Sequence, residues 1–460
     1  MNTLTLIKAP ISVNFETTQV CNLQCGFCFS NSATYHHKNP PLEQIKHVID
    51  ALAEAEVFEI RWFGGEFTAL NGWEEVVGYA YDKGFFMAFV SNGTRMTRES
   101  AKCLARYGVT GGAMSVHGPE AMHDQVVGVP GAFRKTIEGI RNCWEEDIGI
   151  TTLFTPTQMN FRSLYDLAQW FKENDVPVNE IDVGRLCPSG EAIEGWDERR
   201  LTLGDYKYLF RVMREIHRDF GIHACMGDAF PLCVLPYDDW DLVTGCWQGT
   251  GFGQISYTGE MKSCSILGGS YGNILETPIT EIWTERLKTM RSLAYLPRQC
   301  RLCLHFCGGG CSASRFGAAH YAPDEFIPKP EEENIFTLAR RVPGILNFYI
   351  RSTIDRWKVR KDDSPNGKPL PPITAKPRMN CQFRIRKDLE GYIGFFKGRG
   401  VLIFNETSAH IVQLMDGRRS IENIIVTMEK SQPSENGQVR ESVLAFFQSI
   451  NHGEFLAFSE

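Results

Sequence analysis

The chain has 460 residues, of which 43% are hydrophobic and 22% are charged, so it is long enough for two or three domains with cores of their own. Its formal net charge of −7 leaves no basic excess, which argues against nucleic acid or an anionic membrane surface as a partner. The sequence shows neither a signal peptide nor an apolar run of membrane-spanning length. Its fifteen cysteines therefore indicate reduced thiols and metal ligation in a cytoplasmic protein.

Residues 11–220 alternate short, β-rich apolar runs with longer helical patterns. Six βα units in succession predict an α/β fold with a parallel sheet, and six units instead of eight predict a partial (β/α)6 barrel of the TIM type, open on one side. In such folds the chemistry lies at the carboxyl ends of the strands. The predicted strands are 12–16, 57–63, 85–91, 112–116, 150–155 and 180–185, with helices near 42–55, 72–83, 97–107, 132–146, 161–174 and 202–219.

Three cysteines with the spacing C-x3-C-x2-C follow the first predicted strand, at Cys21, Cys25 and Cys28. Thiolates are the ligands that iron–sulfur clusters select, and a short loop can turn several of them onto one centre. Three thiolates leave one iron of a four-iron cluster free to bind a substrate or cofactor. A closed zinc site would need a fourth ligand, for which His36 and His37 are the nearby candidates.

With the aromatic Phe27 before its last cysteine, this loop resembles the cluster loop of radical S-adenosylmethionine (radical SAM) enzymes. The resemblance implies that Cys21, Cys25 and Cys28 hold a 4Fe-4S cluster whose open iron chelates the amino and carboxylate groups of S-adenosyl-L-methionine. The reduced cluster would cleave this cofactor to a 5′-deoxyadenosyl radical. Phe27 is then expected among the cofactor-binding residues.

Glycines and polar residues at the ends of the later strands extend the resemblance. Gly64, Gly65 and Glu66 match the family's motif for the methionine amino group, since glycines allow close approach and a carboxylate accepts hydrogen bonds from an ammonium group. The remaining candidates for cofactor binding are Ser91, Asn92, Ser115, Asn160 and Arg185. His117 stands where the family often has Asp, and a loop cap and a surface arginine remain alternatives for Asn160 and Arg185.

Cys187 follows the sixth predicted strand and is expected to face the reaction chamber. It is the candidate catalytic residue, as a hydrogen-atom donor or a substrate contact. The alternative is a small buried apolar residue, which is the interpretation that we favour for Cys103 and Cys143 on helical patterns.

Residues 221–320 carry most of the remaining cysteines, as C-x12-G-x4-C followed by C-x2-C-x3-C-x3-C. Thiolates at this density favour further iron–sulfur sites over zinc. The arrangement resembles the SPASM extension of radical enzymes that act largely on peptides and proteins. The resemblance implies one or two auxiliary 4Fe-4S clusters, the first bound by Cys246, Cys264 and Cys311 and the second by Cys300, Cys303 and Cys307.

The family's final cysteine is missing after Cys311. The second cluster would therefore have an open iron or a ligand from His305, His320 or Asp324. Alternatively, Cys225 or Cys233 supplies a ligand; Cys233 is the stronger candidate, and burial in the core is the competing interpretation for it.

Residues 321–380 form a predicted connection, with a helix near 333–356 and a Pro-, Lys- and Asp-rich linker at 361–377. Residues 381–460 form a small α+β domain of winged-helix type, with strand-like runs at 383–396 and 400–404 and helices at 407–415, 420–429 and 439–450. This segment resembles the RiPP recognition element, a peptide-binding module like the pyrroloquinoline-quinone chaperone. A generic winged helix or a dimerisation domain is the alternative. The predicted domains are 1–220, 221–320, 321–380 and 381–460.

Together these features predict a radical SAM enzyme of the SPASM type that modifies a ribosomally synthesised precursor peptide. Its leader would be bound by residues 381–460, and a flavodoxin or ferredoxin would supply electrons. The alternatives are an enzyme acting on a small molecule such as a tetrapyrrole, and a non-catalytic iron–sulfur scaffold or electron carrier. The bond that is formed or broken does not follow from the sequence, because the cofactor supplies the radical and the protein supplies position.

Overall fold

The computed structural model describes residues 7–32, 38–244, 246, 248–292, 296, 300, 307–314, 324–327, 371–379, 381–389, 391–397, 400–431, 438–450 and 456–459. The chain divides into two compact units, Met1–Ile335 and Phe336–Glu460. The predicted helix near 333–356, part of the linker, His36, His37, Cys303, His305 and His320 lie outside the described residues. None of the described helices is both long enough and apolar enough to span a membrane.

A sheet of ten strands forms the first unit, in the order β10-β9-β8-β1-β2-β3-β4-β5-β6-β7. Strands β8 and β1 to β7 pair in parallel, while β9 and β10 extend the sheet in antiparallel pairing. The order does not close into a ring among the described strands, so the fold is a partial barrel. The strands are β1 Ser12–Thr18, β2 Glu59–Gly64, β3 Phe86–Ser91, β4 Gly111–Ser115, β5 Gly149–Phe154, β6 Glu180–Val183, β7 His223–Met226, β8 Phe252–Ser256, β9 Glu260–Lys262 and β10 Gly272–Asn273.

The six predicted strands are all present, but the parallel part of the sheet has two more. The seventh, His-Ala-Cys-Met, is four residues long and lacks β-branched residues, and the eighth contains Gly253 and Gln254. Both runs are therefore poor strand formers, and their pairing with β6 and β1 places them in the sheet.

The helices between the strands bury one apolar face each against the sheet, as the 3.6-residue pattern predicts. The longest helix, α8, begins with a capping box in which the Thr202 and Asp205 side chains each accept a hydrogen bond from the other's backbone N–H, and it ends at Gly221 with a φ of +70°. The helices of this unit are α1 Leu42–Glu54, α2 Trp73–Asp82, α3 Arg98–Arg106, α4 Glu120–Val127, α5 Ala132–Glu145, α6 Leu164–Glu173, α7 Trp196–Arg199, α8 Leu203–Phe220, α9 Ile279–Glu281 and α10 Lys288–Arg291, with a π-helical turn at Ile282–Arg286.

The second unit contains a three-stranded antiparallel sheet in the order β12-β13-β14 and a separate pair, β11 with β15. Side chains from the three-stranded sheet and from three helices form its core, which includes Phe396, Ile411, Ile424, Ile425 and Phe447. The elements are β11 Lys376–Met379, β12 Phe383–Asp388, β13 Gly391–Phe396, β14 Gly400–Phe404, α11 Glu406–Leu414, α12 Ile421–Ser431, α13 Gln438–Ser449 and β15 Leu456–Ser459.

Candidate active site

A cavity lies at the carboxyl ends of the strands; it is here called the loop cavity and has an empty volume of about 1170 Å³ that includes its open mouth. The predicted site residues that line it are Cys21, Cys25, Phe27, Cys28, Gly64, Gly65, Ser91, Asn92, Ser115, Arg185 and Cys187.

Contacts from distant parts of the chain hold the three-cysteine loop in place. The Gln24 N–H donates to the Val127 carbonyl (2.9 Å), and the Arg199 guanidinium donates to the Gly26 carbonyl. Gly190 is required beside Cys28, because a Cβ at that position would lie 2.2 Å from the Cys28 carbonyl oxygen. The loop conformation is thus fixed by the protein around it.

The chemistry of the loop thiols fits an iron–sulfur cluster. Burial, together with the nearby charges of Glu66 and Cys28, raises the pKa of the Cys21 thiol to about 11, and burial likewise raises the pKa of Cys25. Buried thiols that would repel one another as anions become thiolates when a cationic iron centre offsets their charge. Among the described lining residues no histidine or carboxylate of this loop completes a closed four-ligand zinc site.

Gly64 and Gly65 are required by backbone packing at the start of the loop. A Cβ on Gly64 would lie 2.3 Å from the Thr18 carbonyl oxygen, and one on Gly65 would lie 2.5 Å from that of Val20. The Gly65 N–H donates to the Thr18 carbonyl and the Glu66 N–H to the Val20 carbonyl, both at 2.8 Å. The glycines therefore let the end of β2 pack against the strand that leads into the cysteines.

Glu66, predicted as a direct cofactor ligand, is buried behind the cavity wall. Its carboxylate accepts hydrogen bonds from the Thr68 hydroxyl (2.6 Å), the Ser91 hydroxyl (3.0 Å) and the Asn92 N–H (2.7 Å). Burial raises its pKa, while these donors oppose the shift. Because the carboxylate is occupied by protein donors, Glu66 joins the ends of β2 and β3 and positions Ser91 and Asn92 at the cavity.

Asn160 is likewise buried outside the cavity lining, and the loop-cap alternative describes it. Its side-chain oxygen accepts from the Thr157 N–H (2.6 Å), and its amide nitrogen donates to the carbonyls of His117 (3.0 Å) and Thr155 (3.1 Å). A binding role for Asn160 therefore gives way to a positioning role for the loop after β5.

His117 lines the loop cavity where the resemblance leads one to expect Asp. Its ring lies edge-on to Phe27, with 4.9 Å between centroids, and its Nδ1 accepts the Thr155 N–H at 3.2 Å. Burial and the neighbouring His123 hold the pKa of His117 well below its usual range. A neutral ring with Nδ1 engaged carries its proton on Nε2, so His117 offers a donor where an Asp would offer an acceptor.

Arg185 is buried and is not a surface residue. Its guanidinium forms an ion pair with Asp324 and lies 4.8 Å from the centre of the Phe230 ring. The Asp324 carboxylate also accepts the backbone N–H of Cys311 at 2.8 Å. Asp324 therefore links the end of β6 to the segment that carries Cys311. This role replaces the predicted one as a cluster ligand.

A second cavity, here called the auxiliary cavity, is lined by Cys246, Cys264, Cys307 and Cys311. Its empty volume, open mouth included, is about 490 Å³. Burial raises the pKa of Cys264 to about 11, and the charge of Cys311 adds to the shift. The three thiols predicted for the first auxiliary cluster therefore converge, and this donor set also fits an iron–sulfur centre.

The second auxiliary cluster is not assembled among the described residues. Cys307 lines the auxiliary cavity with the other three thiols, Cys300 does not line it, and Cys303 lies outside the described residues. Cys233, predicted as an extra ligand, lies on the short 3₁₀ helix Leu232–Val234 and is not part of the auxiliary cavity.

Comparison with known proteins agrees with this geometry. Residues 15–171 match the Radical SAM superfamily. An AdoMet-dependent heme synthase of Nitratidesulfovibrio vulgaris is 27% identical over 336 residues, which cover 66% of this chain and 88% of that protein. The mycofactocin maturase MftC of Mycolicibacterium smegmatis is also 27% identical, over 327 residues, which cover 67% of this chain and 80% of that protein.

The fold is shared with solved structures at lower sequence identity. The crystal structure of Streptococcus suis SuiB bound to precursor peptide SuiA has a TM-score of 0.56 at 15% identity, covering 70% of this chain and 77% of that one. Residues 15–171, which carry the three-cysteine loop and most of the strand ends around it, therefore form a radical SAM domain.

Proposed function

We propose that this enzyme modifies a ribosomally synthesised precursor peptide and recognises the leader of that peptide through its second unit. S-adenosyl-L-methionine bound to the cluster of Cys21, Cys25 and Cys28 would supply a 5′-deoxyadenosyl radical for hydrogen abstraction. The role of the protein's own residues is to bind and orient the cofactor and the peptide. Asn92 lies at the loop, with its side-chain nitrogen 3.9 Å from the Cys21 sulfur and 3.0 Å from the Asn22 oxygen.

One observation carries the proposal for the substrate, namely an open sheet edge beside an apolar surface. Among the described strands, β14 pairs with β13 alone, so its other side is an unpaired edge. Leu402 and Phe404 of β14 pack towards the core, while Val401 and Ile403 are 40% and 58% exposed. An extended peptide can add to such an edge by main-chain hydrogen bonds and place alternate side chains on the apolar surface.

The opposite edge of the same sheet is built differently. Strand β12 carries Arg384, Arg386, Lys387 and Asp388, and Arg386 is buried in an ion pair with Asp388 (2.7 Å). Charged residues on an edge strand oppose the addition of another strand. The contrast between the two edges favours β14 as the place where a leader peptide binds.

The test is a binding and turnover comparison on the full chain with Ile403→Asp. A carboxylate placed beside the open edge should weaken leader binding about tenfold or more, because an apolar contact is replaced by a charge that must be desolvated. Fluorescence anisotropy with a peptide encoded beside the gene measures binding, and mass spectrometry measures modification. Release of 5′-deoxyadenosine without peptide should stay unchanged.

Val426→Asp is the matched control, because Val426 is an exposed apolar residue of α12 in the same unit, at 38% exposure. It should bind the leader like the parent protein. Equal binding and modification by Ile403→Asp and the parent would contradict leader recognition at β14.

A tetrapyrrole substrate is the second candidate, because AdoMet-dependent heme synthases are as similar to this chain as the peptide maturases are. Incubation of the reconstituted enzyme with iron-coproporphyrin distinguishes the two proposals. Decarboxylated porphyrin products, formed equally by the parent and by Ile403→Asp, would support a tetrapyrrole substrate and contradict the proposal of a peptide substrate.

A further inference from the structure

Cys187 lies where the loop cavity and the auxiliary cavity come together. It follows β6 by four residues and lines the loop cavity. It also belongs to a small buried cluster with Leu267 and Ala313, and both of these residues line the auxiliary cavity. Its surroundings are therefore those of the auxiliary site as much as those of the reaction chamber.

The sulfur of Cys187 lies 4.0 Å from the sulfur of Cys311, although the two residues are 124 positions apart in the chain. Cys264 packs against the same buried cluster. Metal–thiolate bonds are about 2.3 Å long, so sulfurs at about this separation can bind one metal centre without movement of the backbone.

A hydrogen bond and an ion pair fix the position of Cys311 in this pair. Its N–H donates to Asp324 (2.8 Å), and Asp324 is paired with Arg185, two residues before Cys187. The same strand end therefore presents Cys187 and anchors the loop that carries Cys311. Two cysteines that met only through packing in the core would not need an ion pair to hold their segments together.

We propose that Cys187 is a fourth thiolate ligand of the auxiliary centre formed with Cys246, Cys264 and Cys311. This assignment rests on the auxiliary iron–sulfur centre of the proposed function. It replaces the hydrogen-donor role predicted for Cys187 and the ligand role predicted for Cys233. A cluster held in this way forms part of the wall of the reaction chamber, since Cys187 lines that chamber.

Cys143 provides the contrast. It is fully buried on α5 and lines neither cavity. Cys143 thus represents a cysteine buried for packing, and it supplies the matched control for the test.

The experiment uses the full chain with Cys21, Cys25 and Cys28 replaced by Ala, so that the remaining iron belongs to auxiliary sites. In this background Cys187→Ala, Cys187→Ser, Cys307→Ala and Cys143→Ala are reconstituted anaerobically. Iron and sulfide per chain are measured, and the electron paramagnetic resonance spectrum of the reduced protein is recorded with and without imidazole as an added ligand.

We expect Cys187→Ala either to lose iron or to give a spectrum that shifts with imidazole, because one iron has lost its thiolate. Cys187→Ser keeps the side-chain volume and should change the spectrum through oxygen ligation, which decides the matter if the Ala variant does not fold. Cys143→Ala should match the background protein.

Iron content and spectra of both Cys187 variants that equal those of the background protein would overturn the assignment. A change in Cys307→Ala alone would overturn it in favour of Cys307 as the fourth ligand. A background protein that binds no iron at all would instead contradict the auxiliary centre itself, and with it that part of the proposed function.

Discussion

Both the loop cavity and the auxiliary cavity are lined by several thiols, but these come from one short segment in the first and from distant segments in the second. The loop cavity takes its three thiols from eight consecutive residues, Cys21 to Cys28. The auxiliary cavity takes its thiols from Cys246, Cys264 and the segment 307–311, and Cys187 approaches from β6. The ligands of the first site are therefore neighbours in the sequence, whereas those of the second come together only when distant strands and loops are in place.

The contacts that fix the positions of the thiols also differ between the two sites. The short loop is fixed by hydrogen bonds to distant backbone, such as that between Gln24 and Val127, so a local motif depends on the fold for its shape. The auxiliary site depends on one buried ion pair, Arg185 with Asp324, to hold its Cys311 loop. Local sequence supplies the ligands in the first case, and tertiary structure supplies them in the second.

The largest expected effect separates the two sites completely. Replacing Cys21, Cys25 and Cys28 by Ala should abolish formation of 5′-deoxyadenosine, because no cluster remains to bind and cleave S-adenosyl-L-methionine. The auxiliary cavity should still bind iron and sulfide. Chromatography of the reaction measures 5′-deoxyadenosine, and analysis of the reconstituted protein measures its iron and sulfide. Persistent cleavage of S-adenosyl-L-methionine would contradict the assignment of its cluster to the three-cysteine loop.

A smaller effect is expected from the carboxylate that supports the loop cavity. Glu66→Gln keeps the size of the side chain but places an amide donor among the donors of Thr68, Ser91 and Asn92. Unsatisfied buried donors should lower the free energy of unfolding by about 3 kcal/mol. The Michaelis constant for S-adenosyl-L-methionine should rise, because Asn92 is no longer held at the cavity.

Chemical denaturation and cofactor titration measure these two quantities for Glu66→Gln. Glu74→Gln is the control, since Glu74 is an exposed glutamate of the neighbouring helix α2. If both variants behave like the parent protein, Glu66 does not organise the ends of β2 and β3.

The smallest effect concerns the pH dependence of stability that Asp182 on β6 contributes. Burial, with Asp228 and Glu180 nearby, raises the pKa of Asp182 on β6 to about 7. A carboxyl whose pKa is higher folded than unfolded contributes stability at low pH, and this contribution is lost as the pH rises from about 4 to 7. Asp182→Asn should therefore be more stable than the parent at pH 8, by about 2 kcal/mol once the full shift is discounted for solvent access.

The advantage of Asp182→Asn should shrink towards pH 5, where the parent carboxyl is protonated in the fold. Thermal melts at the two pH values measure it, and Asp82→Asn, on the exposed side of α2, should show no such trend. An advantage that is independent of pH would mean that ionisation of Asp182 does not limit stability.

The barrel strands and the three-cysteine loop could be predicted from sequence because their signals are local. Alternation of strand and helix patterns located six strands, and the spacing of Cys21, Cys25 and Cys28 located the first site. The comparisons confirm the radical SAM prediction. The strands β7 and β8 could not be found, since they are short, weak strand formers stabilised by their neighbours in the sheet.

The roles of individual side chains were harder to predict than their location. Glu66, Asn160 and Cys187 all follow predicted strands, as expected, but what they contact depends on chain segments far away in sequence. Glu66 and Asn160 turn inward because protein donors and acceptors satisfy them there. Cys187 meets Cys311 because Asp324 links that segment to the end of β6.

The Arg185–Asp324 ion pair has a consequence for the order in which the enzyme is assembled in a cell. The two residues are 139 positions apart, and both side chains are fully buried. A buried charge without its partner is strongly unfavourable, so β6 and the Asp324 segment must become ordered together. Domains fold as the chain emerges from the ribosome, and the cysteines at 21–28 emerge long before residue 324. The residues that hold the three-cysteine loop, Val127, Gly190 and Arg199, are all made before residue 324. The wall of the auxiliary cavity at Cys311 therefore depends on a later part of the chain than the three-cysteine loop does.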